Sequence, residues 1–548
     1  MTLSTLLCLA IFLFPQIQAD EVFFVNDVEY DSGFYGNYPI QRYKSTQVTS
    51  PRVNILQSSP ECSNDLLTMI TQRGWSVAEP SATILDHDGH LVWTVGGYNQ
   101  VYNLMVQEYQ GDQYLTFWAG DDTVGGHGAG YYYMLDTSYR QVAKVAAANG
   151  LSGDLHDFQI TENGTALITV YDIITANLTA LGKPENGDLW ECRAQEIDLA
   201  TGKLIFEWRA LEHYSITDTY RDIGDDGVTG RAFDFFHMNS IDKDDKGNYL
   251  VSSRYMHSVT YISGATGQII WVLGGKRNMF TDLSEGEATN FAYQHDARWT
   301  ENDTVVSLFN NAIDDAHPDL APYTRGMRIK LDQEKMTAEL IGEYINPHQI
   351  KTVSQGSFQN LPNGNVFMGY GATAAFTEYS SNGTALCDAH YGPQFLYGTG
   401  NVQSYRAYKF EWHGFPLTNP DIAILPDDEG NWKVYTSWNG ATEVFAWILQ
   451  GASDPEVAED DWEDLESITK IGFETSFQIY ELYPRYMRIV AVNKENLVLG
   501  MSNPLDGVVE KVPLCFTRPN PRFISNGRRF GACLPLNSTT TNHAHWKS

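Results

Sequence analysis

Cysteine is scarce in this chain: six occur in 548 residues, and no two stand in a C-x-x-C spacing. No Cys/His pattern of zinc-ligand type is present either, so the zinc-finger and zinc-ribbon classes are excluded and no metal is assigned. Positive charge is thin, with 36 Lys and Arg against 68 Asp and Glu and a net charge of −32. Such a chain repels polyanions, which excludes nucleic acid and anionic membrane surfaces as partners. Beyond the first residues, no apolar run approaches the roughly 20 residues of a membrane-spanning helix. Helical patterning is sparse as well, confined to short stretches at Leu66 to Gln72, Ser138 to Ala148 and Tyr480 to Arg485.

The one apolar run lies at the N-terminus. Leu6 to Phe14 (LLCLAIFLF) has the length of a signal-peptide core, although no basic residue precedes it, and Ile17-Gln18-Ala19 ends on a small residue. Residues 1–19 therefore read as a leader cleaved before Asp20, and the mature chain as secreted or lumenal. Sequons at Asn163, Asn177, Asn302, Asn382 and Asn537 agree with a glycosylated surface. Removal of the leader leaves Cys62, Cys192, Cys387, Cys515 and Cys533. The loop between Cys515 and Cys533 is rich in Pro, Gly and Asn, which makes those two the expected disulfide. Asp454 to Ser467 and the DDAHP segment of Asp314, Asp315 and His317 read as a solvated loop and a polar turn.

What the chain does have is short strands. Aromatic residues make up 13%, with 31 tyrosines, a composition suited to many half-buried strands. A polar turn such as ENGT, DKGN or PNGN is repeatedly followed by an apolar strand. A second strand often follows a Thr-Gly turn and ends near Trp, as in LATGKLIFEW and GATGQIIWVLG. Asn163-Gly164 and Asn363-Gly364 are natural hairpin turns because both residues tolerate positive φ. Units begin near residues 112, 163, 247, 302, 363, 429 and 494. This predicts an all-β fold, a β-propeller of six or seven blades with an N-terminal extension; a pair of β-sandwiches would lack such regular repeats. The expected divisions are a leader at 1–19, an extension at 20–80, a propeller at 81–510 and a tail at 511–548.

His156, His237 and His295 occupy similar places in successive units, each beginning an alternating strand with Asp157, Asp242 or Asp296 close behind. A lone histidine of this kind is more often a structural one. Three in repeat phase predict imidazoles meeting on the propeller axis, where innermost strands line a channel. Arg254, Arg298 and Arg325 follow in the same units, and a guanidinium beside imidazoles binds an anionic or oxygen-rich ligand. For Arg298, an ion pair with Asp296 is the competing expectation.

The motifs DFFHMNSID, SSRYMHSV, TGQIIWVLGG, QHDARW, YTRGMRIKLD and LPNGNVFMGYG, in that order, resemble the arylsulfotransferase family, particularly its fungal branch. The similarity extends over most of residues 80–510. It implies a six-bladed propeller with an axial site. In the bacterial members, a histidine takes a sulfuryl group from a phenyl sulfate and passes it to a phenol, with no nucleotide donor. The resemblance places His237, His295 and Arg325 as the catalytic, oxyanion-holding groups; His156, Arg254 and Arg298, from their place in the repeats and their charge, are the expected substrate-binding neighbours. The nucleophile's position falls on Ala375, and His390 is the histidine nearest to it in sequence.

Without that nucleophile, the sequence reading favours a cyclase of fungal secondary-metabolite type. It would act on an aromatic, phenolic or tropolone-like substrate by dehydration, cyclisation or hetero-Diels–Alder-type cycloaddition. Two alternatives stand beside it: an arylsulfotransferase with a displaced nucleophile, His156 or His390, and a noncatalytic propeller that binds a ligand or partner. No cofactor is implied, and the expected partner is an aromatic small molecule.

Overall fold

The computed structural model describes residues 19–313, 322–479 and 483–507. Its regular structure is almost wholly β, and no helix among the described residues is long and apolar enough to cross a membrane. Leu66 to Gln72, read as helical from sequence, is mostly strand (Leu67–Gln72), because its alternate side chains pack between neighbouring sheets. Ser138 to Ala148 likewise contains the strand Gln141–Val145. The Tyr480 to Arg485 stretch begins outside the described residues.

Six sheets, each built on four antiparallel strands, follow one another around a closed ring. Blade 2 holds Gln100–Tyr109, Asp112–Val124, His127–Leu135 and Gln141–Val145. Blade 3 holds Phe158–Ile160, Thr165–Ala176, Gly187–Asp198 and Leu204–Arg209. Blade 4 runs from Met238–Lys243 to Ile269–Gly274, and blade 5 from His295–Thr300 to Thr337–Ile345. Blade 6 runs from Ser357–Asn360 to Ala385–His390, and Asn54–Gln57 and Phe24–Val25 extend its outer edge. Blade 1 is composite: Leu67–Gln72, Ser81–Leu85 and Leu91–Val95 come from the N-terminal side, and Ala407–Phe410 supplies the innermost strand. Each innermost strand packs against the next, and Ala407–Phe410 packs against Gln100–Tyr109 to complete the circle. This is a β-propeller.

The ring therefore spans Leu67 to Phe410 rather than 81–510. Residues 421–506 form two further sheets, with strands from Asp421–Pro426 to Leu505–Asp506. The units expected near 429 and 494 belong to these. They repeat the turn-and-strand grammar but do not enter the ring, because the place after blade 6 is already filled by Ala407–Phe410.

Apolar clusters fill the spaces between blades. Trp208 packs with Phe236 and Tyr214 between blades 3 and 4, and Trp271 packs with Phe280 and Tyr261 between blades 4 and 5. A disulfide joins Cys62, ahead of blade 1, to Cys387 on blade 6. Cys192 is free and buried. Cys515, Cys533, Asn537 and the Asp314, Asp315 and His317 turn lie outside the described residues. The other four sequon asparagines are exposed.

Candidate functional site

The innermost strands start at one common end of the ring, and each start delivers one side chain to the axis. These are Tyr405 from blade 1, Tyr102 from blade 2, His156 from blade 3, His237 from blade 4, His295 from blade 5 and Gln355 from blade 6. With Arg73, Asp122, Arg254 and Tyr255 they line a cavity of about 330 Å³. The backbone bends to achieve this. Strand register slips between Tyr102 and Met105, between Met238 and Ser240, and between His295 and Arg298. Asn103, His237, Asp296 and Gln355 take positive φ values of 57°, 55°, 54° and 67°. Bulges and left-handed non-glycine residues at one rim mark a place where side chains are re-aimed at some conformational cost.

Two of the three axial histidines are backed by buried carboxylates. Nδ1–H of His156 donates to Asp154 Oδ2 at 2.6 Å, and Nδ1–H of His237 donates to Asp234 Oδ2 at 2.5 Å. Each aspartate also accepts the backbone N–H of its histidine. The other ring nitrogen of His156 and of His237 makes no hydrogen bond among the described residues and is left to the cavity. An imidazole fixed in this tautomer presents a lone pair outward, the arrangement of a nucleophile or general base. The two rings stand edge to face, with centroids 4.8 Å apart.

The two carboxylates differ in their support. Asp154 also accepts from Gly128 N–H and from the Thr169 hydroxyl. Burial alone would raise its carboxyl, but His156 and these donors hold it well below the usual carboxylate range. Asp234 has fewer donors, and burial lifts its carboxyl above the ordinary value. Burial likewise keeps His237 far below the ordinary imidazole value, with His156 and Arg254 adding to the effect.

His295 is held differently. Its Nδ1–H donates to Asn311 Oδ1 at 2.8 Å, and its Nε2 accepts the Gln355 N–H at 3.2 Å. Its cavity-side lone pair is thus already engaged, and burial with Arg254 nearby keeps the ring neutral. Arg254 lies over Tyr293, with the guanidinium carbon 3.9 Å from the ring centre, and donates to the Tyr255 hydroxyl. It has no carboxylate partner among the described residues, which leaves its charge available to an anion.

Below the cavity the axis is closed by charge. Asp157 accepts from Arg298 and from Arg406, each at 2.9 Å, and from Ile241 N–H. Arg298 also donates to Asp296, whose other oxygen accepts from Tyr408 and from Phe358 N–H. Two carboxylates and two guanidiniums balance, and they tie together blades 1, 3, 4, 5 and 6. Arg298, expected to bind substrate, has its guanidinium committed to this plug and does not line the cavity. Arg325, expected on the axis, instead borders a separate space and pairs with Glu287 at 2.8 Å and Glu343 at 2.5 Å. It starts the third strand of its blade, one strand too far out to reach the centre. Ala375 is buried on blade 6 opposite His390, and His390 bonds to Asp31 at 2.8 Å; neither lines the axial cavity.

Sequence reading missed His127, Asp154, Asp234, Tyr405 and Arg406. The two aspartates were visible as D-x-H and D-x-x-H, but attention went to the acids that follow the histidines. His127 lies in the GGHGAG hairpin of blade 2, out of repeat phase. A Cβ on Gly128 would sit 2.5 Å from Trp118, so only glycine lets that hairpin press in far enough for its N–H to reach Asp154. His127 is thereby carried beside His156 and His237, with ring centroids 6.1 and 5.3 Å away, and is stacked on Tyr171 at 3.8 Å.

Among curated proteins none matches the chain. Of solved structures, a Bacteroides caccae protein of unknown function aligns at 14% identity and a TM-score of 0.36, over 63% of this chain and 98% of that one. The β-propeller domain of Myceliophteria thermophila Cps50 (Swd1) aligns at 10% identity and a TM-score of 0.33, over 63% and 87%. A Lactobacillus plantarum protein aligns at 12% identity and a TM-score of 0.33, over 75% and 99%. At these scores the likeness carries no weight, and the propeller rests on its own strand order. The sequence family is a different matter: the model for arylsulfotransferase (ASST) matches residues 105–392, more than half of the 548 residues. With an axial cavity bearing paired imidazoles, the chain belongs to the arylsulfotransferase (ASST) family.

Proposed function

We propose that the protein is a secreted enzyme that transfers a sulfuryl group between aromatic hydroxyls in the axial cavity, with His156 as the displaced nucleophile. The observation that carries this reading is the Asp154–His156 pair, whose second ring nitrogen is left to the cavity. In the first half-reaction the His156 nitrogen attacks sulfur, an N–S bond forms, the aryl S–O bond breaks, and the phenolate leaves with the bond's electron pair. In the second, a phenol oxygen attacks the same sulfur, the N–S bond breaks, and the phenol's proton passes to a base or water. Arg254 offsets charge on the sulfuryl oxygens, and Tyr102, Tyr255 and Tyr405 supply aromatic walls. Export is supported by the apolar leader, the Cys62–Cys387 disulfide and the four exposed sequon asparagines.

Incubation with p-nitrophenyl sulfate and a phenol acceptor tests the reading. The expected result is nitrophenol release and a sulfated peptide containing His156, both lost in His156→Ala and retained in His390→Ala. A second reading has its own support. The outward nitrogens of His156 and His237 face one cavity, so one ring can remove a proton while the other returns it, without any covalent intermediate. That suits dehydration and cyclisation, or cycloaddition, of a phenolic or tropolone-like substrate. Absence of both nitrophenol and labelled protein in the wild type would set transfer aside in its favour.

A further inference from the structure

His127 is fully buried, and among the described residues neither of its ring nitrogens makes a hydrogen bond. A buried polar group left in this way is destabilising and calls for an explanation. The ring is stacked on Tyr171 and met edge-on by Trp190 at 4.8 Å. Its Nε2 lies 3.3 Å from Asp234 Oδ2, and that same oxygen faces His237 Nδ1. Donor atoms of His127, Asp234 and His237 lie within 4.8 Å of one another, and those of His127, Asp154 and His156 do likewise.

We propose that His127, Asp234 and His237 form a binding site for one divalent transition-metal ion beside the cavity. Two imidazoles and one carboxylate are a donor set suited to such ions and leave coordination positions open. The Asp234 group is chosen over the Asp154 group because Asp154 is already saturated by Gly128, Thr169 and His156. Asp234 accepts only from the backbone N–H and Nδ1–H of His237 among the described residues and keeps free lone pairs. Binding displaces the proton on His237 Nδ1 to the opposite nitrogen, so this ring faces the cavity as a donor while His156 remains an acceptor. The site thus separates the two imidazoles into acid and base. It stands on geometry independent of the sulfuryl-transfer reading.

The test uses the full-length, untagged protein, stripped with chelator and dialysed against Zn2+, Co2+ or Mg2+. One equivalent of Zn2+ or Co2+ per chain at micromolar concentration is expected, with Co2+ giving visible ligand-field absorption and Mg2+ none. His127→Phe keeps the ring's packing without its nitrogens and should weaken Zn2+ binding at least tenfold. Asp234→Asn should do the same, and serves if the first variant fails to fold. Absence of stoichiometric binding by the wild type overturns the proposal. So does a folded variant of either kind that binds as tightly as the wild type. Loss of sulfuryl transfer with Zn2+ binding intact would count against the function reading alone.

Discussion

His295 differs from the other two axial histidines in having both ring nitrogens bound and no carboxylate behind it. Its ring is held neutral by burial and by Arg254, against the opposing effect of the Asn311 hydrogen bond. A histidine whose folded value lies below the ordinary one of about 6.5 contributes stability at neutral pH. That contribution is lost as the pH falls from about 6.5 toward the folded value, because only the unfolded chain takes up the proton. Urea unfolding of wild type and His295→Gln at pH 7.5, 6.0 and 5.0 checks this. The wild type should lose up to about 1.4 kcal/mol per pH unit relative to the variant below about pH 6.5. Parallel pH dependence of the two would contradict it. The three histidines were legible as a group because their spacing repeats with the blade. Their partners were not, because Asp154, Asp234 and Asn311 stand at unequal offsets of two, three and sixteen residues. Turn geometry and the neighbouring strand decide such offsets, and periodicity carries no record of either.

At the scale of elements, the polar plug shows why individual strands are easier to read than their assembly. Alternation predicted strands around Asp157, Asp296 and Arg298, and the structure has them. No local pattern shows that Arg406, 249 residues from Asp157, enters the same ionic group. Removing one member leaves the remaining charges buried and out of balance. Asp157→Asn and Arg406→Met are each expected to destabilise by roughly 3–5 kcal/mol. The double variant should lose clearly less than their sum, because each change removes the charge that the other leaves stranded. Denaturant melts of the two single variants and the double give the coupling directly. Additive losses would mean that the two groups do not support each other. The same element logic explains Arg325: it opens the third strand of a blade, a place that no local pattern records.

For the whole molecule, the fold class was legible from repeated turns and apolar strands. The boundaries were not, because the ring closes through a strand far from its partners. The Cys62–Cys387 disulfide spans 325 residues and links the segment before the ring to its last complete blade. In a chain-entropy account such a crosslink restrains the unfolded state by at most on the order of 5 kcal/mol. Calorimetry of Cys62→Ser/Cys387→Ser, or of the wild type with a strong reductant, should therefore show a melting temperature several degrees lower. An unchanged melt would mean that the bond is dispensable. Blade 1 has a further consequence, one of timing. Its innermost strand and the adjacent Tyr405 and Arg406 are made only after five blades have left the ribosome. Until they arrive, the cavity has a missing wall, and the Asp157 and Arg298 charges have a missing neighbour. A nascent or truncated chain can hold finished blades and yet contain no site at all, so binding competence comes with the last segment of the ring.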